Sequence, residues 1–188
     1  NIPKNNTVET VIEKIELIKT YSKLLLKIMK KNKDLIILDA DLAKDTGVYN
    51  CKSLFPDRYV ECGIAEQDMV SCAGGIALKG YIPMVHSFSC FLSTRANEQI
   101  FNNGTEGNKI LYFGSLSGLM PAGPGHSHQS IRDISLFNTI PNLHVIIPSF
   151  DEELEALLDW AIYNNKKQCF FRLESFPVPK IKKFQNIQ

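Results

Sequence analysis

Leu35-Ile36-Ile37-Leu38 is apolar at every position, so a strand built from it must be covered on both faces. Segments of the same kind recur. Lys109-Ile110-Leu111-Tyr112-Phe113, Leu143-His144-Val145-Ile146-Ile147 and Cys169-Phe170-Phe171-Arg172-Leu173 read as strands, residues 80–86 as a turn entering a strand, and 58–62 as a weaker one. Helical spacing falls between them. Val8, Val11, Ile15, Ile18, Leu25, Ile28 and Met29 line one face of residues 7–31, and helices are expected at about 65–78, 90–102 and 129–138. Ser149 is expected to cap a further helix whose first turn carries Asp151, Glu152 and Glu153. Strands alternating with helices predict an α/β fold, three layers α/β/α around a mostly parallel sheet of about six strands. A chain of 188 residues suits a single domain, 1–188, with flexible ends at 1–6 and 180–188.

Several function classes can be set aside. The net charge is +1, so no overall field favours nucleic acid, and the lysine-rich ends read as solvated helix faces. No apolar run reaches the ~18 residues of a membrane span, and Asn1-Ile2-Pro3-Lys4-Asn5-Asn6 lacks the apolar core of a signal peptide. The five cysteines, Cys51, Cys62, Cys72, Cys90 and Cys169, form no Cys-x-x-Cys pair and read as buried free thiols in a reducing cytoplasm. Neither nucleotide-binding glycine fingerprint is present. His126 and His128 share a loop with no third ligand nearby, so no metal site is expected in this chain.

Parallel sheets bind ligands beyond the carboxyl ends of their strands, which points to Asp39, Asp41, Glu66, Ser87, Phe88 and the loop 114–128. In Tyr59-Val60-Glu61-Cys62-Gly63-Ile64-Ala65-Glu66-Gln67, Gly63 allows close backbone approach and Glu66 opens a helix. Its carboxylate can serve as a partly desolvated acid–base group or merely complement the helix dipole, and the residues leave both readings open.

Gly63-Ile64-Ala65-Glu66-Gln67, then Gly80-Tyr81-Ile82-Pro83-Met84-Val85, Ser89 to Gln99 and Gly125-His126-Ser127-His128-Gln129-Ser130 follow one another in an order that resembles the pyrimidine-binding domain of transketolase-like, thiamine-diphosphate-dependent enzymes. Asp39-Ala40-Asp41-Leu42 is similar to that family's acidic strand end. The resemblance implies a role for each matching residue. Glu66 would bond N1′ of the cofactor's aminopyrimidine and so promote loss of the thiazolium C2 proton. Phe91 would stack on the pyrimidine, Ile64 would touch the cofactor, and Asp41 would lie near the thiazolium. His128 would face the reacting centre, His126 would add a polar substrate contact, and Arg172 would grip a sugar phosphate.

There are departures from the family pattern. Asn97 replaces an aromatic residue, Pro124 an aspartate that reads the donor's hydroxyl, and Asp45 a phosphate-binding serine, while Gly114-Ser115-Leu116-Ser117 carries no histidine. Ordinary pentose-phosphate specificity is therefore not implied. The Gly-Asp-Gly…Asn motif that holds diphosphate with Mg²⁺ or Ca²⁺ is absent from these 188 residues. The resemblance thus implies a split subunit or excised domain, inactive alone, working with a diphosphate-binding partner chain or domain in a homodimer or heterotetramer on small carbonyl or sugar substrates. The alternatives are a 2-oxo-acid decarboxylase or dehydrogenase β-type subunit, a deoxyxylulose-phosphate-synthase-like subunit, or a non-catalytic assembly module.

Overall fold

The computed structural model describes residues 13–119 and 123–180. The expected flexible ends, 1–6 and 180–188, lie outside that span except for Lys180, which is tied to Glu13 by a backbone bond of 2.7 Å and an ion pair of 3.1 Å. The chain runs β1 Lys14–Glu16, α1 Leu17–Lys31, β2 Leu35–Asp39, α2 Tyr49–Leu54, β3 Tyr59–Glu61, α3 Glu66–Leu78, β4 Ile82–Phe88, α4 Ser89–Arg95 and α5 Asn97–Thr105. It continues with β5 Leu111–Ser117, α6 Asp133–Phe137, β6 Leu143–Ile146, α7 Asp151–Asp159, β7 Gln168–Glu174 and β8 Pro177–Pro179.

Strands β3-β2-β4-β5-β7-β6 form one six-stranded, wholly parallel sheet with helices on both faces. Alternation along each strand divides the core. Leu35, Ile37, Met84, Leu111, Phe113, Cys169 and Phe171 pack towards α1 and α7, while Leu38, Val85, Tyr112 and Phe170 pack towards α3, α4 and α5. The three-layer expectation is met. Every residue of the Leu35-Ile36-Ile37-Leu38 run is buried or half-buried, as its composition demands.

Two buried polar side chains within this sheet, His86 and Asp39, are hydrogen-bonded, whereas the Ser115 hydroxyl in β5 is not. His86 donates from Nδ1 to the Leu38 carbonyl (3.2 Å) and accepts the Tyr21 hydroxyl proton at Nε2 (2.6 Å). Burial pushes its pKa down to about 3, which keeps the ring neutral. Asp39, at the end of β2, accepts from the Leu42 amide (3.0 Å) and the Thr46 hydroxyl (3.3 Å), yet burial still lifts its carboxyl to about 6.

Local expectations needed correction in several places. The first helix starts at Leu17, because Lys14–Glu16 pairs antiparallel with Pro177–Pro179; residues 7–12 of the expected helix lie outside the described span. The helix expected over 90–102 is two helices, parted where Ala96 leaves helical angles (φ −103°, ψ 15°). Strand β5 continues to Ser117, where a loop was expected to begin at Gly114. Ser149 does not cap α7 with its side chain; instead the Glu153 carboxylate reaches back to accept the Ser149 amide at 2.7 Å. Of the cysteines, all free, Cys72 is exposed and Cys62 half-buried, against the expectation of uniform burial.

Gly114 lies where β5 meets α4. A Cβ there would sit 2.6 Å from the Phe170 ring and 3.0 Å from the Ser89 Cα. Gly114→Ala is therefore expected to destabilise the fold by ~1–3 kcal/mol through overpacking, read as a lower midpoint in urea unfolding. Asp39 yields a pH signature. Its folded-state pKa lies above the unfolded value, so its contribution is full below about pH 4 and is lost as pH rises through about 6. The melting-temperature advantage of the wild type over Asp39→Asn should shrink from pH 4 to pH 7, by on the order of 2–3 kcal/mol in stability.

Candidate active site

Gly63, at φ +68°, turns the chain sharply after β3, and the Ala65 amide closes the turn onto the Gly63 carbonyl (2.8 Å). The turn sets Glu66 at the first position of α3 with its side chain directed inward, 2% exposed. The Ser87 hydroxyl, from the end of β4, donates to its Oε1 at 3.3 Å. Helix α4 starts immediately beyond β4 and carries Phe91 and Arg95 four residues apart, hence on one face. The Arg95 guanidinium lies 3.7 Å from the Phe91 ring centroid and donates from one nitrogen, Nη1, to both Glu66 oxygens at 3.0 Å.

The loop after β5 adds His128. Its ring meets Phe91 edge-on (centroids 5.1 Å apart) and Phe88 at 6.0 Å, and its Nδ1 is 2.9 Å from the Ser127 hydroxyl. Glu66, Phe91, Arg95 and His128 thus converge at the carboxyl end of β4. A groove of about 590 Å³ opens beside them, lined by residues 64–68 with Thr94 and Arg95.

The loop is pinned from below. Gly118 and Ser130 exchange backbone bonds (3.1 and 2.8 Å), closing its base. The Ser130 hydroxyl donates to Ser89 (2.9 Å), Ser89 to Asp133 (2.7 Å), and Arg172 Nε to the same Asp133 oxygen (2.9 Å). Arg172 also bonds Glu174 at 2.7 Å and is 11% exposed. The sequence reading gave Arg172 to a sugar phosphate. In the structure its guanidinium is committed to two carboxylates, and it braces the loop that carries His128.

The remaining candidates are more dispersed. Ile64 is 74% exposed on the rim of the groove. Asp41 (φ 60°) donates its amide to Glu61 (2.9 Å) and lines a separate, smaller pocket with Asp45, Lys44 and Lys52. His126 and Pro124 are exposed on the loop. Asn97 is half-buried at the start of α5, its Nδ2 without a hydrogen-bond partner. Among the described residues, no three His, Cys, Asp or Glu side chains gather as a metal site, and no helix is long and apolar enough to cross a membrane. Sequence reasoning missed Arg95 and Asp133. The four-residue spacing of Phe91 and Arg95 was the available signal for Arg95; nothing local marked Asp133, whose partners come from α4 and β7.

A profile described as "Transketolase, pyrimidine binding domain" matches residues 13–175. The chain belongs to this family. Among curated relatives, it is 37% identical over 153 residues to transketolase-like protein 2 of Mus musculus, covering 81% of this chain and 24% of the relative. It is 33% identical to 6-deoxy-6-sulfo-D-fructose transketolase subunit SqwH of Clostridium sp. (strain MSTE9), covering 81% and 48%. A 1-deoxy-D-xylulose-5-phosphate synthase of Natranaerobius thermophilus is 32% identical, covering 82% and 25%. This transketolase pyrimidine-binding domain therefore spans about a quarter to a half of the length of these relatives. Its fold matches a split-gene transketolase, solved as an inactive beta4 tetramer, with TM-score 0.78 and 28% identity over 91% of this chain and 55% of that one. It also matches Pichia stipitis transketolase with TM-score 0.82 and 21% identity, over 91% and 27%.

Removing Arg172 would strand Asp133 buried and without its cation. Arg172→Ala should lower stability by ~3–5 kcal/mol in thermal unfolding, whereas an arginine that only gripped substrate phosphate would leave the melting temperature unchanged.

Proposed function

We propose that this domain is the pyrimidine-binding half of a thiamine-diphosphate-dependent, transketolase-type transferase that moves a two-carbon ketol unit between carbonyl or sugar substrates. The observation that carries the reading is the Glu66 carboxylate, buried to 2% exposure at the edge of a groove and bonded to the guanidinium that lies over Phe91. The residues present fit an aminopyrimidine. A flat, hydrogen-bond-donating guanidinium already stacks on Phe91 and bonds Glu66, so the slot accepts that shape and polarity.

When bound, thiamine diphosphate supplies a nucleophilic carbon and an electron sink for cleaving the bond beside a carbonyl. Glu66 holds the pyrimidine N1′ edge and Ser87 steadies the carboxylate. Phe91 provides the stacking face, and Ile64 on the groove rim excludes water. Asp41 stands at the end of β2, the neighbour of β4, and supplies negative charge favourable to a thiazolium cation. His128, oriented through Nδ1 by Ser127, presents Nε2 to a substrate hydroxyl, and His126 on the same loop adds a polar contact. The diphosphate and its Mg²⁺ or Ca²⁺ fall to a partner subunit or domain. The split-gene structure, of which this chain covers 55%, supports such a division. Free thiols throughout suit a cytoplasmic enzyme. The synthase relatives support a second reading in which the same site forms deoxyxylulose phosphate.

The test combines the chain with a diphosphate-binding partner, thiamine diphosphate and Mg²⁺, and follows C2 proton exchange by NMR. Exchange should accelerate in the complex, and Glu66→Gln should slow it by ~10²–10⁴-fold. Equal exchange rates in wild type and Glu66→Gln would overturn the assignment.

A further inference from the structure

We infer that Arg95 is a built-in occupant of the pyrimidine slot, which the cofactor must displace. The inference rests on the proposed function above. Three features of the contact point to it. The guanidinium lies over the Phe91 ring, 3.7 Å from its centroid. It bonds both oxygens of Glu66, the carboxylate that would read N1′. And it mimics the ligand chemically, being planar, delocalised and armed with N–H donors along its edge. A guanidinium and an aminopyrimidine cannot both lie on the same face of this ring and bond the same edge of this carboxylate.

The grip is also of a kind that can be released. An arginine holding a carboxylate at full strength uses two parallel N–H···O bonds from two nitrogens, whereas Arg95 reaches both oxygens from Nη1 alone. Glu66 is buried at 2% exposure, but the Arg95 side chain is 43% exposed, so its path outward leads to water. Asp68, two residues along α3 from Glu66, lines the same groove and offers a carboxylate for the displaced cation. In the cofactor-free domain, Arg95 therefore spares Glu66 from standing buried without a cation and keeps Phe91 covered. On cofactor entry it moves towards the groove mouth. Occupation by the chain's own side chain lowers apparent affinity by the cost of expelling it.

The full chain alone is titrated with 4-amino-5-hydroxymethyl-2-methylpyrimidine, which carries no diphosphate, and binding is read by ligand-observed NMR. Arg95→Ala is expected to bind the pyrimidine about tenfold more tightly than wild type, the scale of one exposed ion pair plus one cation–π contact. Arg95→Gln should fall between them, since a shorter planar amide competes less well, and it serves if Arg95→Ala does not fold. Millimolar guanidinium should return Arg95→Ala towards wild-type affinity and leave the wild type unmoved. Equal or weaker binding by both Arg95 variants overturns the inference while leaving the slot intact, provided that Phe91→Ala still abolishes binding. Binding that ignores both Phe91→Ala and Glu66→Gln removes the pyrimidine slot itself, and the inference with it.

Discussion

A sheet covered on both faces has nowhere to keep polar chemistry except at its rims, and this constraint organises the whole domain. Strands such as Leu35–Asp39 give both surfaces to apolar packing, and among the polar groups inside, His86 pairs with Tyr21 and Tyr112 with Gln168. What remains for function is the carboxyl edge. There Glu66, Phe91, Arg95 and His128 come from three separate chain segments and meet because β3, β4 and β5 end together. Burial is what makes Glu66 useful, and burial is also what obliges some cation or ligand to stand beside it.

The layer architecture could be read from sequence because it depends on periodicity, which is local. The six strands and most helices follow from where apolar runs start and stop. The misplacements occur where a distant partner decides the outcome. Lys14–Glu16 is a strand only because Pro177–Pro179 lies beside it. Ser117 stays in β5 because β7 pairs with it through Glu174. Glu66, Phe91 and His128 were legible through the family pattern in their neighbourhoods, and the structure gathers them. Arg172 was not. Its place within the strand 169–173 was read correctly, but the Asp133 that bonds it comes from a short helix nearly forty residues away.

The chain Ser130–Ser89–Asp133–Arg172 links the loop that carries His128 to α4, so that His128 and the Phe91 ring share one support. Such a network is rigid only while every member is satisfied. Its placement away from the groove lets exposed loop residues such as Pro124 and His126 vary without disturbing the frame that holds Phe91.

Gly63 shows how narrow one of these requirements is. At φ +68° it makes the turn that delivers Glu66, yet nothing lies within 4 Å of where a Cβ would stand. Space is therefore not what the position demands; handedness is. A mirror-image alanine, installed by chemical synthesis, would prefer the same backbone angles, whereas ordinary alanine would strain against them. The carboxylate at the centre of the site is aimed by a stereochemical choice made three residues earlier.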